Sequence, residues 1–323
     1  MTHLLPDLWI TIIAFCLMMY VILDGFTLGT GMLLPIMHRD ERDTAMSMLL
    51  PTWDGNQTWL VLAMASLYGA FPSAFSYLLP VLYVPIMLLV LALLFRGICF
   101  EFRLKSKQGI HRWDILFAIA SLTATFIQGL IVGTAAQGFS AHGASLILNG
   151  FSLLTGVALV IGYVILGATR LILKTTGTLR TRMYPLSGCL TVLLLLLVAV
   201  IAFQTPETAF SEQAAQLHEA VVVASLVVLL LVFLVFVAGL VKKQDNLPYW
   251  CTVVMFVILY LTMCFSLYPY VVPYRMTIFQ VASPDNTLIF LLVGALIMIP
   301  VLLFYTGYAY HVFRGKVKEK LEY

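Results

Sequence analysis

The sequence predicts an all-α polytopic membrane protein with nine transmembrane helices. Of its 323 residues, 62% are apolar, and the formal charges are confined to 18 Lys and Arg and 15 Asp and Glu residues. The mean hydropathy is +1.01. A soluble domain is roughly 45–50% apolar and about 25% charged. This composition therefore excludes an ordinary soluble enzyme, and the scarcity of charge excludes a disordered chain.

Each predicted helix is a run of about 20 mostly apolar residues, the length needed to cross a hydrocarbon core roughly 30 Å thick. The first run lacks the basic start and the short apolar core of a cleavable signal peptide. The second is the weakest, because the polar segment 53–57 opens it and Phe71-Pro72 ends it. The nine runs cover residues 8–34, 53–71, 78–100, 113–137, 147–173, 186–203, 220–241, 249–271 and 286–311.

The basic residues orient these helices. If nine helices alternate in direction, 17 of the 18 Lys and Arg residues fall on one side and only Arg275 falls on the other. The positive-inside rule makes the basic side cytoplasmic, so we expect a periplasmic N-terminus and a cytoplasmic C-terminus. No loop is long enough for a core of its own, which makes residues 1–323 a single integral membrane domain. The 17 residues are Arg39, Arg42, Arg96, Arg103, Lys105, Lys107, Arg112, Arg170, Lys174, Arg180, Arg182, Lys242, Lys243, Arg314, Lys316, Lys318 and Lys320.

Asp24 is an acidic residue inside the first predicted helix. A charged group at the bilayer centre costs about 2.5–3.5 kcal/mol on insertion scales, so such residues usually serve a function. Gly25 and Gly29 form a small-x-x-x-small face, where another helix backbone can approach closely. The carboxyl is either one hydrogen-bonded group in a packing surface or a proton carrier, because a low dielectric favours its neutral form.

Asp54 lies at the cytoplasmic start of the second predicted helix. An Asp in a first turn can cap the helix and interact with the positive end of its dipole. Capping does not explain the surrounding run from Trp53 to Trp59, which places two indoles, a carboxyl and two amides at one depth. This concentration of polar groups favours a functional site.

Arg96 lies near the cytoplasmic end of the third predicted helix. Its side chain either snorkels to the headgroups or pairs with Asp24 or Asp54, which lie in the same half of the membrane. Glu101 is five residues further on, so the two do not form a tight pair on one helix. Two acids and one base that converge there would form a proton entrance.

The histidines and cysteines give no sign of a metal site. The six histidines, at positions 3, 38, 111, 142, 218 and 311, all fall in loops or at helix ends. A haem buried between helices usually needs an axial His or Met, and Met in such helices is usually filler. The five cysteines lack metal-binding spacings. The basic tail after Phe313 predicts an anchor at an anionic leaflet rather than a nucleic-acid site.

Several stretches together resemble subunit II of cytochrome bd-type quinol oxidases. The resemblance covers nearly the whole chain and includes the same nine-helix topology. The matching stretches are Leu23-Asp24-Gly25-Phe26 with Gly29 and Gly31, Trp53-Asp54-Gly55-Asn56-Gln57 with Trp59, Phe95-Arg96 to Arg103, Leu154-Thr155-Gly156 to Thr175, and the last helix with Pro300, Tyr305-Thr306 and Phe313-Arg314-Gly315-Lys316.

The resemblance implies an oxidase in the bacterial plasma (inner) membrane that oxidises a quinol, reduces oxygen to water and takes the protons from the cytoplasm. The partner, subunit I, carries the quinol-oxidising loop, two b-type haems and a d-type haem. Subunit II ligates no haem, supports subunit I and folds as two four-helix bundles plus a peripheral helix. Lipids, a small single-helix accessory subunit and, in some members, a structural quinone complete the complex.

The resemblance also implies roles for particular residues. Asp54 becomes the interfacial acid of the proton path, with Asp24 and Arg96 further along it, and we extend the path to Glu101. Trp59, with Trp53, lines the subunit interface where oxygen approaches. The short chain and the segment from Tyr268 to Pro273 are similar to the cyanide-insensitive branch, which leaves haem d or haem b at the oxygen site open.

Two other functions fit the same polar residues. One is a proton-coupled secondary transporter with Asp24 and Asp54 as coupling acids. Transporters usually show broken helices in matching positions of two repeats. The sequence has one such region, between Trp53 and Pro72, without a counterpart in its second half. The other is a membrane anchor in which these residues only pack.

Overall fold

The structure is a computed structural model that describes residues 4–106, 108–139, 147–204 and 212–317. Side chains are described for these ranges except 202–204 and 212–219. Lys107, Lys318, Lys320, His3 and His142 lie outside the described residues, as do the side chain of His218 and much of the expected 204–219 loop.

Within these ranges the chain forms twelve α-helices, a 3₁₀ turn at Leu34–Ile36 and one short hairpin. The strands of the hairpin are β1 (Tyr270–Val272) and β2 (Met276–Thr277), which pair antiparallel. The helices are α1 (Leu4–Leu33), α2 (Arg39–Leu49), α3 (Trp53–Ala70), α4 (Pro72–Val81), α5 (Tyr83–Lys105), α6 (Ile110–Ala136), α7 (Gly150–Lys174), α8 (Gly177–Gln204), α9 (Glu212–Val241), α10 (Asn246–Leu267), α11 (Ile278–Val281) and α12 (Asp285–Val312).

Among the described residues, eight helices are long and apolar enough to cross a membrane, which confirms the polytopic, helical class. They are α1, α5, α6, α7, α8, α9, α10 and α12. The predicted second span corresponds to α3, an 18-residue helix whose first turn contains Asp54, Asn56 and Gln57. These polar residues lower its mean hydropathy, and this is why α3 is not among the eight.

Two of the boundaries that differ from the predicted ones lie within three residues of a proline, Pro85 and Pro269. The predicted third span began at residue 78, but the helix breaks at Leu82 and α5 begins at Tyr83. Pro85 has no N–H to donate to the carbonyl of Val81, so the helix cannot run through unchanged. The predicted eighth span reached residue 271, but α10 ends at Leu267 and the hairpin follows.

Helix α1 lies at the centre of the packing and contacts α3, α6 and α7. Its glycine face is confirmed, because α1 and α7 meet backbone to backbone there. A Cβ added at Gly29 would lie 1.7 Å from the carbonyl oxygen of Tyr163, and one added at Gly167 would lie 2.4 Å from the backbone nitrogen of Thr30. Only glycine permits this approach, which brings the Asp24 turn deep into the core.

The other helices follow in a chain of contacts. Helix α5 packs on α6, α6 on α7, α7 on α8 and α10, α9 on α10, and α12 on α3. We call the end formed by α2, the C-termini of α5 and α7 and the start of α8 the basic end. The largest buried apolar cluster lies there, around Leu34, Leu49, Phe100 and Leu171. Apolar side chains on α5 and α12 point outward.

Candidate functional site

A buried ion pair joins α1 to α5. Nη2 of Arg96 donates to both carboxylate oxygens of Asp24, at 2.9 Å to Oδ1 and 3.0 Å to Oδ2. Both side chains are 0% exposed. The pairing of Arg96 with Asp24 is therefore confirmed, whereas the proton-transfer role of the pair stays a prediction. Removing one partner of such a pair typically costs about 3–5 kcal/mol, because the other charge stays buried and unpaired.

A string of hydrogen bonds continues from this pair towards α7. The hydroxyl of Tyr20, one turn before Asp24, interacts with the carboxylate. Nε2 of Gln128 donates to that hydroxyl at 2.9 Å, and the hydroxyl of Tyr163 donates to Oε1 of Gln128 at 3.1 Å. All of these side chains are buried. The string gives the carboxylate a third polar neighbour and links α1, α6 and α7.

Asn56 fixes the start of α3 against the Asp24 turn. Its Nδ2 donates to the carbonyl oxygen of Leu23 at 2.8 Å and to Oγ1 of Thr27 at 3.3 Å. The hydroxyl of Tyr310 on α12 donates to Oδ1 of Asn56 at 3.1 Å. The side chain is 2% exposed and so joins three helices from the interior. The predicted polar cluster contained Asn56, but nothing in it separated this residue from its neighbours.

Asp54 does not join the buried pair. It is exposed, and among the described residues it forms no hydrogen bond or ion pair. Because Asn56 occupies the inward position, Asp54, two residues and about 200° away on the helix, faces outward. Trp53 is partly buried and stacks on Phe100, with ring centroids 5.1 Å apart. The expected convergence of two acids on one arginine is thus found for Asp24 alone.

One further expectation needs correction, and another stays untested. Trp59 was expected at the subunit interface, but it is 0% exposed, and Phe15 of α1 packs edge-on against it at 5.8 Å. It faces α1 because it lies three residues, or one turn, after Asn56. Glu101 was expected on the same path as Asp24, and this role stays a prediction; its side chain is 56% exposed and lies 3.6 Å from Nζ of Lys105.

A second ionic cluster closes the basic end between α2, α5 and α6. Arg103 donates from Nε to Oδ1 of Asp114 at 2.5 Å and from Nη2 to Oδ1 of Asp43 at 2.7 Å. Nη1 of Arg42 reaches Oδ2 of Asp114 at 3.2 Å and also contacts His111. The Asp114 side chain is 2% exposed. The sequence did not single out Asp114 as the partner of Arg42 and Arg103, although an acid at the start of a span was a usable signal.

Arg170 is a further buried cation whose contacts the sequence did not predict. Its guanidinium lies 4.8 Å from the ring centre of Phe26, 4.9 Å from that of Tyr249 and 5.3 Å from that of Tyr310. Such cation–π contacts are worth roughly 0.5–2 kcal/mol each. One turn later, Nζ of Lys174 donates to the carbonyl oxygen of Phe313 at 2.7 Å. We call the three rings around Arg170 the aromatic cage. The cage and the Lys174 bond attach α12 and the chain after it to α7.

Comparison with known proteins places this arrangement in a family. Residues 5–313 match the family model for cytochrome bd terminal oxidase subunit II. The chain belongs to that family. This subunit II is 26% identical over 334 residues to cytochrome bd ubiquinol oxidase subunit 2 of Bacillus subtilis (strain 168), an alignment that covers 98% of each chain.

Two further relatives agree with this result. Cytochrome bd-I ubiquinol oxidase subunit 2 of Escherichia coli (strain K12) is 30% identical over 195 residues, which cover 56% of this chain and 52% of the relative. A solved structure of bd oxidase from Geobacillus thermodenitrificans superposes with a TM-score of 0.78 at 17% identity, over 96% of this chain and 98% of that one. The structural likeness shows that the two chains share a fold.

The described histidines are not placed to ligate a haem buried between the helices. The described histidines, His38, His111 and His311, lie at helix ends, and in the described part of the chain no three His, Cys, Asp or Glu side chains cluster as metal ligands. A haem iron between the helices would need an axial ligand from within a span.

Asp245, in the turn between α9 and α10, is the titratable group outside the spans with the densest contacts. Lys316 donates to Oδ2 at 2.5 Å, and Arg180 and Tyr184 donate to Oδ1 at 2.6 and 3.0 Å. Burial raises the pKa of Asp245, but the hydrogen bonds from Lys316, Arg180 and Tyr184 outweigh burial and hold its pKa below the usual value. The carboxylate ties the segment after α12 to the basic end.

Proposed function

We propose that this subunit serves a bd-type quinol oxidase of an aerobic respiratory chain in the bacterial plasma membrane. Its partner, subunit I, carries the haems, oxidises the quinol and reduces oxygen. This chain supports the partner and delivers protons for water formation. The Asp24–Arg96 pair carries the proposal, because a fully buried acid and base inside a membrane protein are costly and usually take part in ion or proton movement.

Asp24 would act as the proton relay. As a carboxylate it accepts two hydrogen bonds from Arg96, and when a proton binds to one of its oxygens the ion pair is lost and the arginine is released. Arg96 favours the charged state and burial favours the neutral one, so the pair can alternate between them. The hydrogen-bonded Tyr20, Gln128 and Tyr163 hold the acid in place on the other side.

We place the other predicted site residues on the surface of the same path. Asp54, exposed on α3, would be the acid that faces the partner, and Trp53 would support it from its stack on Phe100. Glu101, exposed beyond Arg96, would collect protons from the cytoplasm. The outward apolar side chains of α5, such as Leu91 and Phe95, would form part of the surface that subunit I covers.

We further propose nine spans within one membrane domain, with α3 as the ninth. Its 18 residues extend about 27 Å, close to the thickness of the hydrocarbon core. Alternation then places the basic end in the cytoplasm and the start of α1 in the periplasm. We group α1, α3, α5 and α6 in one four-helix bundle and α7 to α10 in the other, with α12 at the periphery; α1 and α6 pack closely on α7 where the two bundles meet.

Some parts of the complex are proposed from the resemblance alone. These are the b-type haems, the haem at the oxygen site and a small accessory subunit. A structural quinone is proposed on the same basis.

The first test is a reduced-minus-oxidised visible spectrum of the complex captured in mild detergent through a tag on this chain. We expect b-type haem bands and a co-purifying haem subunit, with or without the red-shifted band of haem d. A colourless preparation without a membrane partner would refute the oxidase function and favour the transporter. Turnover of Asp54→Asn, compared with Asp285→Asn as an exposed acid at the opposite end, then tests the interfacial role.

A further inference from the structure

Polar residues recur every seven positions on the facing sides of α5 and α6. On α5 they are Arg103 and Arg96, and on α6 they are Asp114, Ser121 and Gln128. Seven residues are close to two full turns, so each set lies on one face of its helix and each step rises about 10 Å. Apolar helices packed in a membrane need no such repeat for stability.

Contacts place both sets on one seam with α1. Arg103 bonds to Asp114 at the basic end, Arg96 bonds to Asp24 deeper in, and Gln128 bonds to Tyr20 deepest of all. Ser121 lies between the Arg103–Asp114 contact and the Arg96–Asp24 pair, beside Gly31 of α1. A Cβ added at Gly31 would be 2.5 Å from Oγ of Ser121. We call the residues Arg103, Asp114, Ser121, Arg96, Asp24, Gln128 and Tyr20 the polar seam.

The middle of the polar seam holds buried polar atoms without partners. Among the described residues, Oγ of Ser121 and both Nε and Nη1 of Arg96 form no hydrogen bond, although all are buried. Leaving a buried polar group unsatisfied is costly, and proteins usually satisfy it with an ordered internal water molecule. Water molecules bound to these three atoms would lie between Asp114 and Asp24.

Two aromatic rings separate the surface cluster from the buried pair. Phe100 lies between Arg103 and Arg96 on α5, and Phe117 lies between Asp114 and Ser121 on α6. Their ring centres are 5.9 Å apart, and both side chains are at most 1% exposed. An apolar constriction of this kind permits water only in short, transient chains.

We propose that the polar seam is a proton entrance from the cytoplasm to Asp24, with Asp114 at its mouth, water on Ser121 and Arg96, and Phe100 with Phe117 as its constriction. A hydrated proton would cross this constriction and pass to the Asp24 carboxylate, leaving neutral water on Ser121. This entrance lies inside the chain and differs from the Asp54 surface. The inference rests on the proton-delivery role proposed above.

The first test compares Ser121→Ala with Ser187→Ala in the complex with subunit I. Ser187 is also 0% exposed, but its hydroxyl bonds to the carbonyl of Met183 in its own helix, outside the polar seam. We expect normal haem content in both, quinol-oxidase turnover lowered about three- to tenfold in Ser121→Ala only, and a larger solvent isotope effect in that variant.

The second test needs no substitution. X-ray radiolysis of the wild-type complex labels aromatic side chains that touch internal water. We expect Phe117 to be labelled well above Phe236, which is equally buried in an apolar cluster of α9. Equal labelling of the two, or equal turnover of the two serine variants, would overturn the inference. Asp24→Asn separates this inference from the proposed function. If this variant slows turnover while Phe117 and Phe236 are labelled equally or the two serine variants turn over equally, the proton-delivery role is retained and only this entrance is refuted. Unchanged turnover in Asp24→Asn would instead remove the proposed function.

Discussion

Replacing Arg96 with Met should strongly destabilise the subunit. The side chain is fully buried, and its loss deprives the Asp24 carboxylate of both hydrogen bonds from the guanidinium, at 2.9 and 3.0 Å. A buried charge that loses its partner costs about 3–5 kcal/mol. Asp24→Leu leaves Arg96 unpaired and should cost a similar amount. The double variant removes both charges and should cost much less than either single change, because the desolvation of both groups is relieved.

The assay is the free energy of unfolding of the purified complex by SDS titration in mixed micelles, evaluated as a double-mutant cycle. We expect a coupling energy of about 3 kcal/mol or more between the two positions. Lys242→Met, an exposed cation at the same end, controls for the loss of a positive charge and should be close to neutral. Single effects that simply add in the double variant would show that the pair does not hold α1 against α5.

Three other expectations concern packing and charge. Gly29→Ala should push α1 and α7 apart and cost at least about 1–3 kcal/mol by thermal denaturation, whereas Gly294→Ala, with no atom within 4 Å of the new Cβ, should be neutral. Because the pKa of Asp245 is lowered, its carboxylate stabilises the fold above about pH 4, the usual pKa of Asp. This stability is lost as the pH falls through the lowered pKa. Asp245→Asn should therefore flatten the acidic part of a curve of stability against pH. Arg170→Lys keeps the charge but loses the flat guanidinium over three rings, and a melting experiment should show a loss of roughly 1 kcal/mol, whereas an unchanged melting temperature would argue against the cage.

Hydropathy and residue size predicted most of the framework. Eight of the expected spans are helices of sufficient length and apolarity, since apolar runs of about 20 residues have few other structures available in a membrane. The face of Gly25 and Gly29 predicted a close helix contact, and α7 occupies it. For Arg96 the sequence left three alternatives open, snorkelling or pairing with Asp24 or Asp54, and the structure shows the pair with Asp24.

Side-chain direction was much harder to predict. Lipid and the protein interior are both apolar, so the hydropathy of α3 does not reveal which of its faces turns inward. The position of Asn56 decides this, and it turns Asp54 outward and Trp59 inward. The ionic contacts of Asp114 depend on how the ends of α2, α5 and α6 meet, which the sequence of one helix does not contain.

The most direct test of proton delivery by this subunit is the quinol-driven oxygen consumption of the assembled Asp24→Asn complex. Asn keeps the size of the side chain and can accept from Arg96, but it cannot carry a proton. With haem content equal to that of the wild type, we expect turnover to fall about tenfold or more, whereas Asp285→Asn stays unchanged. An Asp24→Asn complex with full haem content and wild-type turnover would contradict the account and reduce Asp24 and Arg96 to a packing contact.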